Sequence, residues 1–86
     1  MTSRLEISES GNKRWYDENG MPHREDGPAV IFSNGDEVWY LHGELHRTGG
    51  PAVNWRIEKG WYYHGERMDC KTQEEFERLL KLKAFW

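Results

Sequence analysis

Gly20-Met21-Pro22-His23-Arg24-Glu25-Asp26-Gly27-Pro28-Ala29-Val30 returns as Gly43-Glu44-Leu45-His46-Arg47-Thr48-Gly49-Gly50-Pro51-Ala52-Val53, an offset of 23 from Gly20 to Gly43. A repeat of that length decides the reading of a chain, because each unit must bury its apolar side on its neighbours. A Trp-Tyr pair precedes the glycine in every copy: Trp15-Tyr16 before Gly20, Trp39-Tyr40 before Gly43, Trp61-Tyr62 before Gly65. The first copy carries one extra residue between its Trp and its Gly. The third copy degrades. Met68 stands at the phase of His23 and His46, and Gly-Pro-Ala-Val does not come round again. Repeat arrays end in such an atypical unit, which covers the last exposed core face.

Local structure follows from the repeat. Ala29-Val30-Ile31-Phe32, Ser33-Asn34-Gly35-Asp36 and Val38-Trp39-Tyr40-Leu41 read as strand, turn, strand, since Asn-Gly between apolar runs is a strong hairpin signal. Ser10-Gly11-Asn12 and Glu58-Lys59-Gly60 play the same part around Leu5-Glu6-Ile7 and Val53-Asn54-Trp55. Pro28 and Pro51 suit the first residue of a strand. Thr72-Gln73-Glu74-Glu75 has the form of a capping box, and Phe76, Leu79, Leu80 and Ala84 then fall on one side of a helix, with Trp86 at its edge. The expected fold is mainly β: an antiparallel meander of about six short strands in three hairpins (residues 1–68), capped by one C-terminal helix (72–84). Residues 1–86 are expected to form a single domain.

Composition narrows the function classes. The 86 residues hold 12 Lys and Arg against 15 Asp and Glu, a net charge of −3. A generic nucleic-acid binder carries a basic surface, so this balance speaks against one. Rings make up 14% of a chain that is only 36% hydrophobic, so the apolar mass is concentrated in aromatics. No run approaches the roughly 20 apolar residues of a membrane span. Residues 1–6 lack the apolar centre of a signal peptide, so secretion is not expected. Cys70 is a lone cysteine, which excludes an internal disulfide and a Cys-rich zinc module.

The His-Arg pairs, His23-Arg24 and His46-Arg47, look most like chemistry. Arginine suits bidentate recognition of phosphate or carboxylate, but a residue recurring in every unit is first tied to what every unit must do, which is fold. On that reading each imidazole and guanidinium holds its own loop, by backbone hydrogen bonds, by an acid such as Asp26, or by stacking on a Trp of the neighbouring hairpin. The four histidines, His23, His42, His46 and His64, lack a convincing metal-ligand spacing, and no Ser-His-acid or Cys-His set stands out, so neither a cofactor nor an enzyme is expected. The Trp-Tyr pairs point to a contact face. Adjacent strand residues face opposite sides, so Trp15, Trp39 and Trp61 form one row, expected to share an interior under the helix. Tyr16, Tyr40 and Tyr62 form the other row. More rings exist than one helix can cover, and uncovered ring patches mark interfaces. The expected partner-binding residues are Tyr16, Tyr40, Tyr62, Tyr63, His23, Arg24, His46, Arg47, Glu44 and Asp26.

The pattern Trp-Tyr-x-x-Gly-x-x-His-Arg-x-x-Gly-Pro-Ala, run twice between Trp15 and Val53, resembles small repeat proteins of tailed bacteriophages. It is also similar to variant MORN repeats of the antitoxin-like kind. The resemblance spans about residues 10–80. Trp61-Tyr62-Tyr63-His64-Gly65 followed by Thr72-Gln73-Glu74-Glu75-Phe76 is similar to their usual end. Gly49 in place of an acid and the longer Trp15–Gly20 spacing depart from the pattern, which leaves Asp26 without a shared role.

The resemblance implies a virus-borne accessory protein in the cytoplasm of a bacterial host. Such a protein would bind and inhibit a host protein, as inhibitors of CRISPR-Cas nuclease complexes and other defence machines do. Two alternatives are a homodimeric structural module closed by exposed rings and an anion or nucleic-acid binder using the His-Arg loops.

Overall fold

The computed structural model describes residues 3–83 and has the expected architecture, an antiparallel β meander with one C-terminal helix. Ala84 and Trp86, which the helical stripe included, lie outside the described residues. Three longer hairpins pair β1 (Arg4–Ile7) with β2 (Lys13–Tyr16), β3 (Val30–Ile31) with β4 (Glu37–Val38), and β7 (Val53–Asn54) with β8 (Lys59–Gly60). They join into one sheet of order β1-β2-β3-β4-β7-β8. The stretches expected to be plain His-Arg loops begin with short hairpins of their own, β5 (Tyr40–Leu41) with β6 (Glu44–Leu45) and β9 (Tyr62–Tyr63) with β10 (Glu66–Arg67).

The extra hairpins arise because the ladder changes partners at each Trp. Glu37 and Val38 pair with β3 of their own hairpin and with β7 of the next, whereas Tyr40 and Leu41 pair with the return strand β6. Trp39 stands at the exchange. Its N–H donates to Ala52 O (2.7 Å) and its C=O accepts from His46 N–H (3.1 Å). Trp15 does the same with Ala29 and His23. The turns of β5–β6 and β9–β10 are His42-Gly43 and His64-Gly65, with φ of 46° and 84°, and 48° and 82°. Two left-handed residues in a two-residue loop are the hairpin geometry whose twist matches the flanking strands. The first copy uses its extra residue for a longer loop, in which Gly20 N–H donates to Asp17 O and Asp17 N–H to Met21 O.

The sheet is one layer, and the shortest principal extent of the molecule is 16 Å. Among the described residues the expected row does not share one interior under the helix, because of Trp15, Trp39 and Trp61 only Trp61 lies there. Trp15 is covered by the guanidinium of Arg24 at 4.0 Å, and Trp39 by that of Arg47 at 3.9 Å. Gly27 and Gly50 back these guanidiniums, where an added Cβ would stand 2.7 Å and 2.8 Å from the Arg Cζ. Arg24 Nη1 donates to Pro28 O and Arg47 Nη1 to Pro51 O, both at 3.2 Å, so each arginine closes its own loop across the face of its own Trp. A desolvated cation–π contact contributes up to about 2 kcal/mol.

In the third unit Asp69 stands at the arginine phase, and the helix α1 (Gln73–Lys83) supplies the cover instead. Phe76 is fully buried with Trp61 and Met68. Gln73 Oε1 accepts from Trp61 Nε1 (2.8 Å), and Gln73 Nε2 donates to Thr48 O (2.9 Å). Thr72 caps the helix by accepting from Glu75 N–H. The Glu75 carboxylate reaches back to Thr72 Oγ1 and Lys71 N–H. Among the described residues no helix is long and apolar enough to cross a membrane.

Gly50→Ala is expected to displace the Arg47 guanidinium from Trp39 and to cost about 1–2 kcal/mol in a chemical-denaturation series, the range of mild overpacking. Gly49→Ala, where an added Cβ meets nothing within 4 Å, is expected to be close to neutral. Equal losses in the two variants would show that the guanidinium stack is not what requires glycine. Thr72→Ala should cost about 1 kcal/mol, as removal of a helix N-cap does.

Candidate functional site: the aromatic face and the histidine joints

Strand alternation divides the expected site residues between two faces. Tyr16, Tyr40 and Tyr62 lie on one face with Arg14, Val30, Val38 and Val53, which are opposite one another in register. Phe32 and Trp55 join this face from the turns and complete two shallow hollows. One, of about 160 Å³, is lined by Arg14, Tyr16, Pro22, Val30, Phe32, Val38 and Tyr40. The other, also about 160 Å³, is lined by Val53, Trp55, Gly60 and Tyr62 with Glu58, Lys59 and Arg67. Gly60 takes the phase of Val38, so the Tyr62 ring settles against the backbone, with Cε1 3.1 Å from where a Cβ would be. The helix packs on the opposite face, and these rings remain half-buried at the open surface. Phe32 and Trp55 were not among the expected contact residues. Their strand alternation with Val30 and Val53 is the signal that would have found them.

Tyr63 does not belong with the other tyrosines. It follows Tyr62 in β9 and so points to the far side, where it packs against the Trp61–Met68–Phe76 core and the His46 ring at 4.9 Å. Arg24 and Arg47 lie on that same far side as lids over Trp15 and Trp39. An open groove of about 290 Å³ runs between the two His-Arg loops, lined by Arg24, Glu25, Trp39, Leu41, His46, Arg47, Thr48 and Gly49. Asp26, itself exposed, accepts from Arg24 Nε at 3.1 Å, and Gly49 has no side chain to do the same for Arg47. Burial lowers the Arg47 pKa, with nearby Glu37 opposing.

The histidines are joints between units. His23 is only 1% exposed, so it offers a partner no surface. Its Nδ1 accepts from His42 N–H at 2.9 Å, and its ring stacks on that of His42 with centroids 3.9 Å apart. The His42 ring in turn donates from Nδ1 to Asp17 Oδ2 at 2.8 Å. Asp17 also accepts from Asn19 and Met21 N–H. His46 repeats the arrangement. Its Nδ1 accepts from His64 N–H at 3.0 Å, and Glu44 Oε1 stands 3.6 Å from His64 Nδ1. Each histidine thus anchors the left-handed turn of the following unit. Met68 stands at this phase where no further turn follows, and it is buried against Trp61 and Phe76. Among the described residues no three His, Cys, Asp or Glu side chains form a group able to hold a metal ion. Burial pushes the Cys70 thiol up, and Glu75 and Asp69 push it the same way, the reverse of what activates a thiolate.

No protein-family model, no curated protein and no solved structure matches the chain.

The joints make stability depend on pH in two windows. Burial, with the charge of His64 beside it, lowers the His46 pKa below its ordinary 6.5, against the pull of Glu44. The unfolded chain therefore takes up this proton first. The His46 contribution is whole above about pH 6.5 and is lost as pH falls through the lower folded value. Asp17 is held below its ordinary 3.8 chiefly by the His42 hydrogen bond and then by Met21 N–H, against desolvation. Its contribution is whole above that value and is lost as pH falls further. Denaturation midpoints measured from pH 7.5 to 3 should show the wild type losing stability in both windows. His46→Asn, which keeps an acceptor, should flatten only the upper window, and Asp17→Asn only the lower. An unchanged upper slope in His46→Asn would remove the joint as its cause.

Proposed function

We propose that the protein is a non-enzymatic binding module that occupies a surface of another protein with its tyrosine face. The observation that carries this reading is the open row of Tyr16, Phe32, Tyr40, Trp55 and Tyr62 on the sheet face turned away from the helix. Half-buried rings on a rigid frame supply large contact area at small entropic cost, and such residues concentrate binding energy at interfaces. The hollows between them suit apolar side chains of a partner. The net charge of −3 favours approach to a basic surface.

The partner we propose is a bacterial host protein, a component of a defence system such as a CRISPR-Cas nuclease complex, blocked by a phage accessory protein in the host cytoplasm. The resemblance of the repeat signature to small phage repeat proteins supports this, as does the basic nucleic-acid channel such a nuclease presents. Of the aromatic rows and His-Arg loops expected to share the contact, we centre the proposal on the tyrosine row, because Arg24, Arg47, His23 and His46 are engaged in holding the fold.

Capture of host proteins on the immobilised full chain, with mass spectrometry, tests the reading. Tyr40→Ala is expected to reduce capture of the specific partner by about 30-fold, the loss of one interface hot spot of about 2 kcal/mol. Lys13→Ala, on the opposite face, is expected to leave it unchanged. Capture indifferent to both Tyr40→Ala and Tyr62→Ala would place the contact elsewhere. If the partner is a defence nuclease, expression of the chain should restore plating of a targeted phage, and the Tyr40→Ala form should not.

A further inference from the structure

The array ends differently at its two sides. The C-terminal unit is covered by a helix. The first strand, β1, forms the other edge of the sheet, and among the described residues nothing pairs with its outer side. All four of its residues are exposed. Two of them, Leu5 at 45% and Ile7 at 61%, are large hydrophobics left in solvent. A partly apolar edge is a template for another strand unless its charges repel it; here the two charges, Arg4 and Glu6, are of opposite sign and stand 3.8 Å apart along the strand.

The alternation of the β1–β2 ladder shows which backbone groups are free. Ser8 N–H donates to Asn12 O, and Trp15, opposite Leu5, directs its own N–H away to Ala29 O. Hydrogen-bonded and non-hydrogen-bonded pairs alternate along antiparallel strands. Arg4 and Glu6 therefore turn their N–H and C=O inward to β2, and Leu5 and Ile7 turn theirs outward, as does Ser3 by the same alternation. The side chains alternate too. Leu5 and Ile7 share the face of Trp15, while Arg4 and Glu6 lie on the tyrosine face beside Tyr16 and Arg14.

We propose that β1 is the interface of a two-fold dimer, pairing antiparallel with β1 of a second copy so that Leu5 lies opposite Leu5. In this register Arg4 of each copy faces Glu6 of the other, and Ser3 faces Ile7. Only outward-facing residues can make hydrogen-bonded pairs across the edge, so the register can shift only by two residues. One such shift sets Glu6 against Glu6 and the other sets Arg4 against Arg4. Like charges directly opposite are destabilising and opposite charges are favourable, so the charge pattern selects a second copy in one register. Leu5 and Ile7 of both copies then form a continuous apolar strip on the tryptophan side. On the other side the two tyrosine faces lie edge to edge. The dimer thus presents two contact faces in one plane, and its association is independent of the rings.

Light scattering on the eluting full chain over a concentration series tests this. The wild type is expected to approach twice the monomer mass as concentration rises. Glu6→Arg places Arg opposite Arg, and Arg4→Glu places Glu opposite Glu, so each variant alone should stay monomeric. Mixed, the two should form a heterodimer, because every cross-strand pair is again of opposite charge. Tyr40→Ala should dimerise like the wild type. A second measurement does not depend on charge variants. Leu5→Cys in a Cys70→Ser background should oxidise to a disulfide-linked dimer, since hydrogen-bonded antiparallel partners stand about 5.5 Å apart at Cα, within disulfide reach. Arg4→Cys in the same background should not, because it faces residue 6. A wild type monomeric at every concentration, or charge variants that fail to recombine together with no Leu5→Cys crosslink, would overturn the proposal.

Discussion

The structure depends on an indole covered by a guanidinium with a glycine behind it. A single-layer sheet has no second layer to bury its large side chains, and a bare Trp on each unit would leave the array sticky and loose. Arg24 and Arg47 solve this locally by covering Trp15 and Trp39 and tying themselves to Pro28 and Pro51 carbonyls. The constraint reaches back into the sequence: Gly27 and Gly50 leave no room for a Cβ behind the guanidinium. The recurring Trp, Arg and Gly-Pro are one device spread over the unit, which is why they recur together.

The histidines do for neighbouring units what the arginines do within one. An imidazole Nδ1 that accepts the N–H of a left-handed turn residue fixes that turn relative to the preceding unit. The device needs a following turn, so it ends where the turns end. Met68 and the helix then take over, with Phe76 and Gln73 in place of the missing guanidinium. The cap is therefore the same covering problem solved with a helix.

Arg24, Arg47 and the histidines are engaged on the far face and in the joints, which is why the contact surface we propose is the tyrosine row. Its rings are positioned by strand alternation and by the small or β-branched residues beneath them: Val30, Val38, Val53 and Gly60. The proposed binding on this face would leave the guanidinium lids undisturbed, since they lie on the opposite side of the sheet.

Much of this was legible without coordinates. The 23-residue recurrence and the Asn-Gly turn implied antiparallel hairpins, and Thr72 with Glu75 marked the helix start. Those signals are local, and local backbone preference does not depend on what lies across the sheet. The His-Gly turns were present in the sequence but obscured, since His42 and His64 look like candidate ligands before they look like left-handed turn residues. What only the tertiary structure decided was how the pieces meet: that Arg47 covers the Trp of its own unit, that His23 is buried in a joint between units, and that β1 stands open at the edge. Such placements depend on where the ladder changes partners at each Trp, and that exchange joins residues as far apart along the chain as Trp39 and Ala52.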